Sequence, residues 1–464
     1  MEGGSVSELY ERLARAGFLK FGKVNKSRVA STPVTDLIDL AAEIAEDTSA
    51  EQLGREQSIF AQFASLSLGG GREYCSNLEC RKKRINELAQ FALLYCDRVY
   101  VKNFLTDHIP HPGGKTWKDE DEFRQEFTND LTILNEMRPL VKKGIIIPFT
   151  PPLNYCPHCL ASHSLGRDAD TRLEALEKHL RQRFSQEITS YELFKSGEKY
   201  FLGIYGPEIL IDHGVHGVSF WALPEPLRNM PRLLRRVDAG EIVSLSKTAQ
   251  KKLGYHHRLT QQVLENVAYE LTASQSLNTS FLTERPLHIE ALTILSESDR
   301  IQRRNLIAQR HLTSFVPFLD GVTLEDLIKL REKEEEAFVL YRHALNEAID
   351  EYKAQGDFTA RDAQALYSDV IAPKLTALDS KVKSARKKLL KDTGLNIFAW
   401  VGAISFGIYA GFVPADLVAA AQALGLTKVV AELLKLTFDR TDVTKDIRNE
   451  DMYFLWRVRR AARK

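Results

Sequence analysis

Lys142-Lys143-Gly144-Ile145-Ile146-Ile147 is the stretch whose reading decides the fold class. A glycine after a helical run is a common left-handed stop, and the β-branched triplet that follows has no polar face. Such a run reads as a strand buried on both sides, which requires helices above and below it and hence a parallel sheet. Working outward, the spacing predicts a helix over 123–142, a β-rich run at 98–101 and a helix over 85–94. Towards the C-terminus, strands are expected at 200–205, 218–221 and 279–282, the last preceded by a helix over 260–275. The alternation defines an α/β domain over 83–295, its sheet parallel or mixed under helical cover.

Residues 1–80 read as a helical lead-in. Leu9, Leu13 and Phe18 share one side of a short amphipathic helix, and helical spacing returns over 34–45 and 51–66. Gly69-Gly70-Gly71 then breaks the pattern. The triplet lacks the Lys-Ser/Thr that a phosphate loop needs, so it reads as a joint.

Beyond Pro317 the character changes. Thr323 with Asp326 resembles a capping box, and 324–354 contains neither Gly nor Pro, enough for a helix of about 45 Å. Phe338, Tyr341, Leu345, Ala348 and Tyr352 form one apolar seam. After a turn at Gly356-Asp357, Ile371, Leu375, Leu378, Val382, Ala385 and Leu389 answer it, with Pro373 as a kink. An antiparallel helical hairpin over 316–392 is therefore expected. Residues 393–464 form an apolar helical segment and a basic tail. Positions 393–415 carry no charge, a length that would permit a membrane span. Pro414, Asp416 and basic flanks on both sides favour a buried hairpin over a membrane-inserted segment.

The full chain has 464 residues, with 63 basic and 62 acidic side chains, so no global field steers it to nucleic acid or membrane. No apolar leader opens the chain, and five cysteines make no disulfide scaffold, which points to reduced thiols in a cytoplasmic setting. Cys96 falls in an apolar helix end and reads as core.

Cys156 and Cys159 stand at the spacing at which two thiolates grip one Zn²⁺, with sulfurs at about 2.3 Å from the ion. His163 supplies a third donor, and Cys75 or Cys80 a fourth. Such a structural zinc site would fasten 72–80 to 155–163. A redox reading of the same pair lacks the strand-to-helix junction that stabilises a thiolate. A second cluster, Glu208, Asp212, His213 and His216, follows a strand and holds the groups that a metal-dependent hydrolase or nuclease needs. His108, His111, His256 and His257 read as surface groups. The basic clusters 81–84 and 232–236 read as solvated surface, so a nucleic-acid partner is not supported. No Gly-x-Ser-x-Gly elbow is present.

The segment 316–342, with Pro317-Phe318-Leu319-Asp320-Gly321, Glu325-Asp326, Arg331-Glu332, Phe338 and Arg342, resembles uncharacterised bacterial proteins encoded near mobile elements and phage-defence genes. Met452-Tyr453-Phe454-Leu455-Trp456 is similar to that family as well. The resemblance covers about a third of the chain and brings no catalytic residue. It implies a bacterial cytosolic protein with a place in antiviral defence. The expected function is therefore a zinc-stabilised interaction protein that docks a protein partner or a second copy through its long helices. The alternatives are the hydrolase, with Glu208, Asp212, His213 and His216 as catalytic groups, and a membrane-perturbing effector acting through 393–415.

Overall fold

The computed structural model describes residues 4–49, 53, 56, 58, 60–72, 76–110, 117, 119–150, 169–208, 210–211, 214–283, 285–295, 324–353, 369, 371–378, 380 and 449–462. The chain divides into two compact units, 1–309 and 310–464.

The first unit opens with α1 (Gly4–Arg15), the two-stranded ribbon β1 (Leu19–Lys20) and β2 (Lys23–Val24), α2 (Lys26–Ser31) and α3 (Val34–Asp47). Alternating strands and helices follow: β3 (Ala61–Ala64), α4 (Leu78–Tyr95), β4 (Arg98–Lys102), a 3-10 turn (Phe104–His108), α5 (Glu120–Glu136), α6 (Arg138–Val141) and β5 (Ile146–Phe149). The glycine stop holds: Gly144 has φ +66°, and the N–H of Ile145 donates to Leu140 O at 2.9 Å. The expected helix 123–142 is broken before Pro139, at Met137, because proline cannot continue the amide ladder. After β5 come α7 (Ala169–Glu187), β6 (Ser190–Ser196), β7 (Lys199–Tyr205), β8 (Val215–Phe220), α8 (Glu225–Arg228), α9 (Pro231–Asp238), β9 (Val243–Ser244), α10 (Lys247–Leu253), α11 (Tyr255–Ser276), β10 (Ser280–Leu282) and α12 (Pro286–Leu295).

These strands form a mixed α/β architecture with two four-stranded sheets. One is wholly parallel, in the order β10-β3-β4-β5, and the other antiparallel, in the order β8-β7-β6-β9. The strands expected at 200–205 and 218–221 therefore belong to the second sheet. The segment 51–66, read from sequence as helical, contains β3 instead. All four residues of β3 are buried, and a fully buried four-residue strand leaves too short an apolar run to show its period. Helices α7, α11 and α12 share one core with both sheets: Phe63, Tyr100 and Phe281 meet Leu180, Phe184 and Val267.

In the second unit, α13 (Leu324–Lys333) and α14 (Glu335–Lys353) divide the expected long helix at Glu334. Residues 372–378 are helical, and α15 (Tyr453–Ala462) follows near the end. The apolar seam packs onto α15: Phe454 meets Phe338 edge-on at 5.0 Å and Tyr341 at 5.8 Å between ring centroids. Arg331 and Arg342 both lie over Phe338, at 4.3 and 4.6 Å. Ile371, Leu375 and Leu378 are buried as well. The turn at Gly356-Asp357, the far half of the hairpin and the uncharged run 393–415 lie outside the described residues. Among the described residues no helix is long and apolar enough to cross a membrane.

Candidate functional site

In the parallel sheet the chain builds β3, β4 and β5 outward in one direction, then returns to lay β10 on the opposite side of β3. The connection therefore reverses between β3 and β10. In open α/β sheets that reversal leaves a crevice outside the carboxyl ends of the two strands, where ligands bind.

Two loops follow the carboxyl ends of β3 and β10. After β3, the N–H of Ser65 donates to Leu282 O at 2.7 Å, and Ser65 to Gly71 wind into a tight turn in which Ser65 Oγ accepts from Leu68 N. Gly70 has φ +87°, and a Cβ there would lie 2.9 Å from Ile85, so only glycine fits the close approach. After β10, Thr283 Oγ1 accepts from Arg285 N at 3.3 Å just before α12. Glu270 of α11 ties the loops together: one carboxylate oxygen accepts from Leu66 N at 2.7 Å, and the other lies 3.1 Å from His288 Nδ1 on α12. Both side chains are almost fully buried, so the pairing replaces water that the carboxylate would otherwise need.

An open cleft lies beside His288, between α7, β8, α11 and the start of α12, and takes no residue from the loop after β3. Arg285 and His288 from the β10 end, Gln262 from α11 and His216 from β8 supply its polar lining, with Phe184 and Leu259 among its apolar wall. Burial first, and then the positive charges of Arg258 and Arg285, hold the His216 imidazole below its ordinary pKa. It is therefore neutral at neutral pH, with one nitrogen able to accept a proton or a hydrogen bond. A guanidinium, a neutral imidazole and an amide around an apolar wall can seat and orient an anionic group on a larger ligand.

A second polar cluster lies at the carboxyl ends of β3 and β4. Asp130 of α5 receives Arg72 at 2.7 Å, Arg81 at 2.6 Å and His108 Nε2 at 2.8 Å, and Arg81 Nε donates to Gly70 O at 2.6 Å. Arg72 also pairs with Glu126. Burial alone would raise Asp130, but the His108 hydrogen bond and the charges of Arg72 and Arg81 outweigh it and hold the carboxyl below its usual range. Trp117 stacks on His108 at 5.4 Å. The cluster locks the turn after β3 and the turn after β4 onto α4 and α5. Two sequence readings are corrected here. His108 and Arg81 are not surface groups: both are wholly buried, because Asp130 compensates them inside the fold.

Of the expected hydrolase cluster, Glu208 is exposed and His216 lines the cleft; Asp212 and His213 lie outside the described residues. Of the expected zinc ligands, Cys80 is exposed on the first turn of α4, while Cys75, Cys156, Cys159 and His163 lie outside the described residues. No metal-holding group of three or more such side chains occurs among the described residues. Cys96 is buried in the core, as expected. Gln262, Glu270, Arg285 and His288 were not singled out from sequence. The available signal was Glu270, the one carboxylate among the mostly apolar residues that α11 buries.

Comparison with protein-family models, with curated proteins and with solved structures finds no match to the chain.

Proposed function

We propose that the protein binds a small phosphate-bearing ligand in the cleft lined by His216, Gln262, Arg285 and His288. The observation that carries this reading is the cleft's lining, a guanidinium, two imidazoles and an amide beside an apolar wall. The cleft draws Arg285 and His288 from the loop and helix that follow β10, the strand at which the parallel sheet reverses. Arg285 precedes the N-terminus of α12, whose first-turn amides add positive potential, and a guanidinium fork suits a phosphate better than a single carboxylate oxygen. Neutral His216 gives the site an acceptor for a proton leaving the bound group. The metal-dependent hydrolase expectation shares His216 with this cleft, while Asp212 and His213 lie outside the described residues.

Isothermal titration with inorganic pyrophosphate tests the reading. The parent chain should bind it, and Arg285→Gln and His216→Asn should each weaken binding about tenfold or more, as loss of one charge-assisted hydrogen bond does. No heat of binding in the parent, or equal binding in both variants, would overturn it.

A zinc clasp remains a second reading, favoured by one observation. Cys80 at the start of α4 and Thr150 at the end of β5 both sit at the carboxyl edge of the parallel sheet. Cys156 is six residues beyond Thr150, so chain geometry lets it reach up to about 20 Å from that edge. The clasp would close over the same end of the sheet as the cleft. We further infer a bacterial cytosol as the setting, since reduced thiols are what a zinc site needs. Partner docking belongs to this reading too. The helical hairpin would offer Val339 and Leu340, the exposed apolar pair on α14, because Phe338 and Tyr341 are already covered by α15.

A further inference from the structure

Residues 225–258 carry eight basic side chains against three acidic ones, in a chain whose totals are nearly balanced. In the sequence these charges look like short separate clusters. The fold gathers them, because α8 packs on both α9 and α10, and α9 packs on β6 and β9. Leu227, Val237 and Ala249 turn inward to the core, which leaves the cations of these helices outward. Arg228, Arg232, Arg235, Lys247, Lys251 and Lys252 are all exposed, and none is ion-paired among the described residues. Two of the three acids are already engaged: Asp238 with Lys195 at 2.8 Å and Glu241 with Arg236 at 2.8 Å.

We propose that the surface formed by α8, α9 and α10 is a docking site for the phosphate backbone of a nucleic acid. Six exposed cations without an acidic partner, on helices joined through α8, suit a phosphate backbone, and neutralising each phosphate releases a condensed counterion. A lipid surface fits less well. An interfacial helix needs a continuous apolar face beside its charges, and within 225–258 the one large apolar side chain exposed among the described residues is Ile242. The proposal is independent of what the cleft binds.

The test is fluorescence anisotropy of the full chain with a labelled DNA duplex of about 20 base pairs at 50 and 200 mM salt. Six phosphate contacts make the parent bind about 1,000-fold more weakly at the higher salt. Arg232→Glu with Arg235→Glu and Lys251→Glu should reduce affinity at 50 mM by about 100-fold or more and flatten the salt dependence. The matched control reverses Lys20, Lys23 and Lys26, exposed cations near the N-terminus, and should bind as the parent does. If the triple Glu variant melts early, the triple Gln variant replaces it, with a smaller loss in the same direction. Absence of binding at 50 mM, or equal loss in the control, would overturn the proposal. So would capture by phosphatidylserine vesicles that depends on the patch while the duplex stays free.

Discussion

Asp130 shows how one carboxylate fixes a site without belonging to it. It carries three donors, from Arg72, Arg81 and His108, in full burial. Replacing it with Ala strands Arg81 without its countercharge, and breaking a buried pair in this way costs about 3–5 kcal/mol. Urea unfolding of Asp130→Ala should show that loss; a change under about 1 kcal/mol would mean the cluster is spectator surface. The pH dependence follows from the lowered pKa. Asp130 sits below its unfolded value near 3.8, so its stabilisation is complete above that value. It drains away as pH falls through 3.8 towards the folded pKa. Between about pH 5 and pH 2 the parent should therefore lose stability more steeply than Asp130→Asn.

At the scale of elements, α14 and α15 make the seam that the sequence pattern advertised. Phe454 is wedged between Phe338 and Tyr341, and all three are nearly fully buried. Phe454→Ala removes both ring contacts and leaves a cavity, a cost of about 3–5 kcal/mol. With Trp117, Trp221 and Trp400 replaced by Phe, Trp456 on the same helix reports it: its fluorescence transition should move to lower denaturant, and an unmoved midpoint would argue that the seam packs elsewhere. Legibility also divides at this scale. β4, β5, β7, β10 and α11 were readable because apolar periods and a glycine stop mark them locally. The strand β3 was not, because Ala61 to Ala64 is buried on both faces and shows no alternation, while the alternating Ser65-Leu66-Ser67-Leu68 beside it belongs to the turn. Of the second sheet, spacing marks β7 and β8 and leaves β6 and β9 unmarked. Pairing partners such as Tyr191 with Ile204 are fixed by core packing across the chain, which spacing within one strand does not encode. The site was legible only in His216. Arg285 and His288 acquire meaning when β10 is laid beside β3, a long-range fact, and Arg81 and His108 look like surface until Asp130 is placed between them.

For the molecule as a whole, near-neutral total charge conceals local organisation: a compensated ion cluster inside the first unit, and an uncompensated basic face on its α8–α10 helices. The cysteine clasp is a whole-molecule question, since it would join segments about 80 residues apart in sequence at one sheet edge. Metal analysis of the purified chain should find about one zinc, as a four-ligand site holds one ion. Cys156→Ser should lose both the metal and thermal stability, and zinc-free protein melting at the parent's temperature would remove the clasp. The cleft carries the central claim. The direct measurement is an NMR titration of the His216 imidazole, assigned by comparison with His216→Gln, without and with pyrophosphate. A phosphate seated in the cleft offsets the field of Arg258 and Arg285, so the His216 pKa should start below its ordinary value and rise when pyrophosphate binds. A His216 pKa that stays where it was while pyrophosphate is bound would contradict the account.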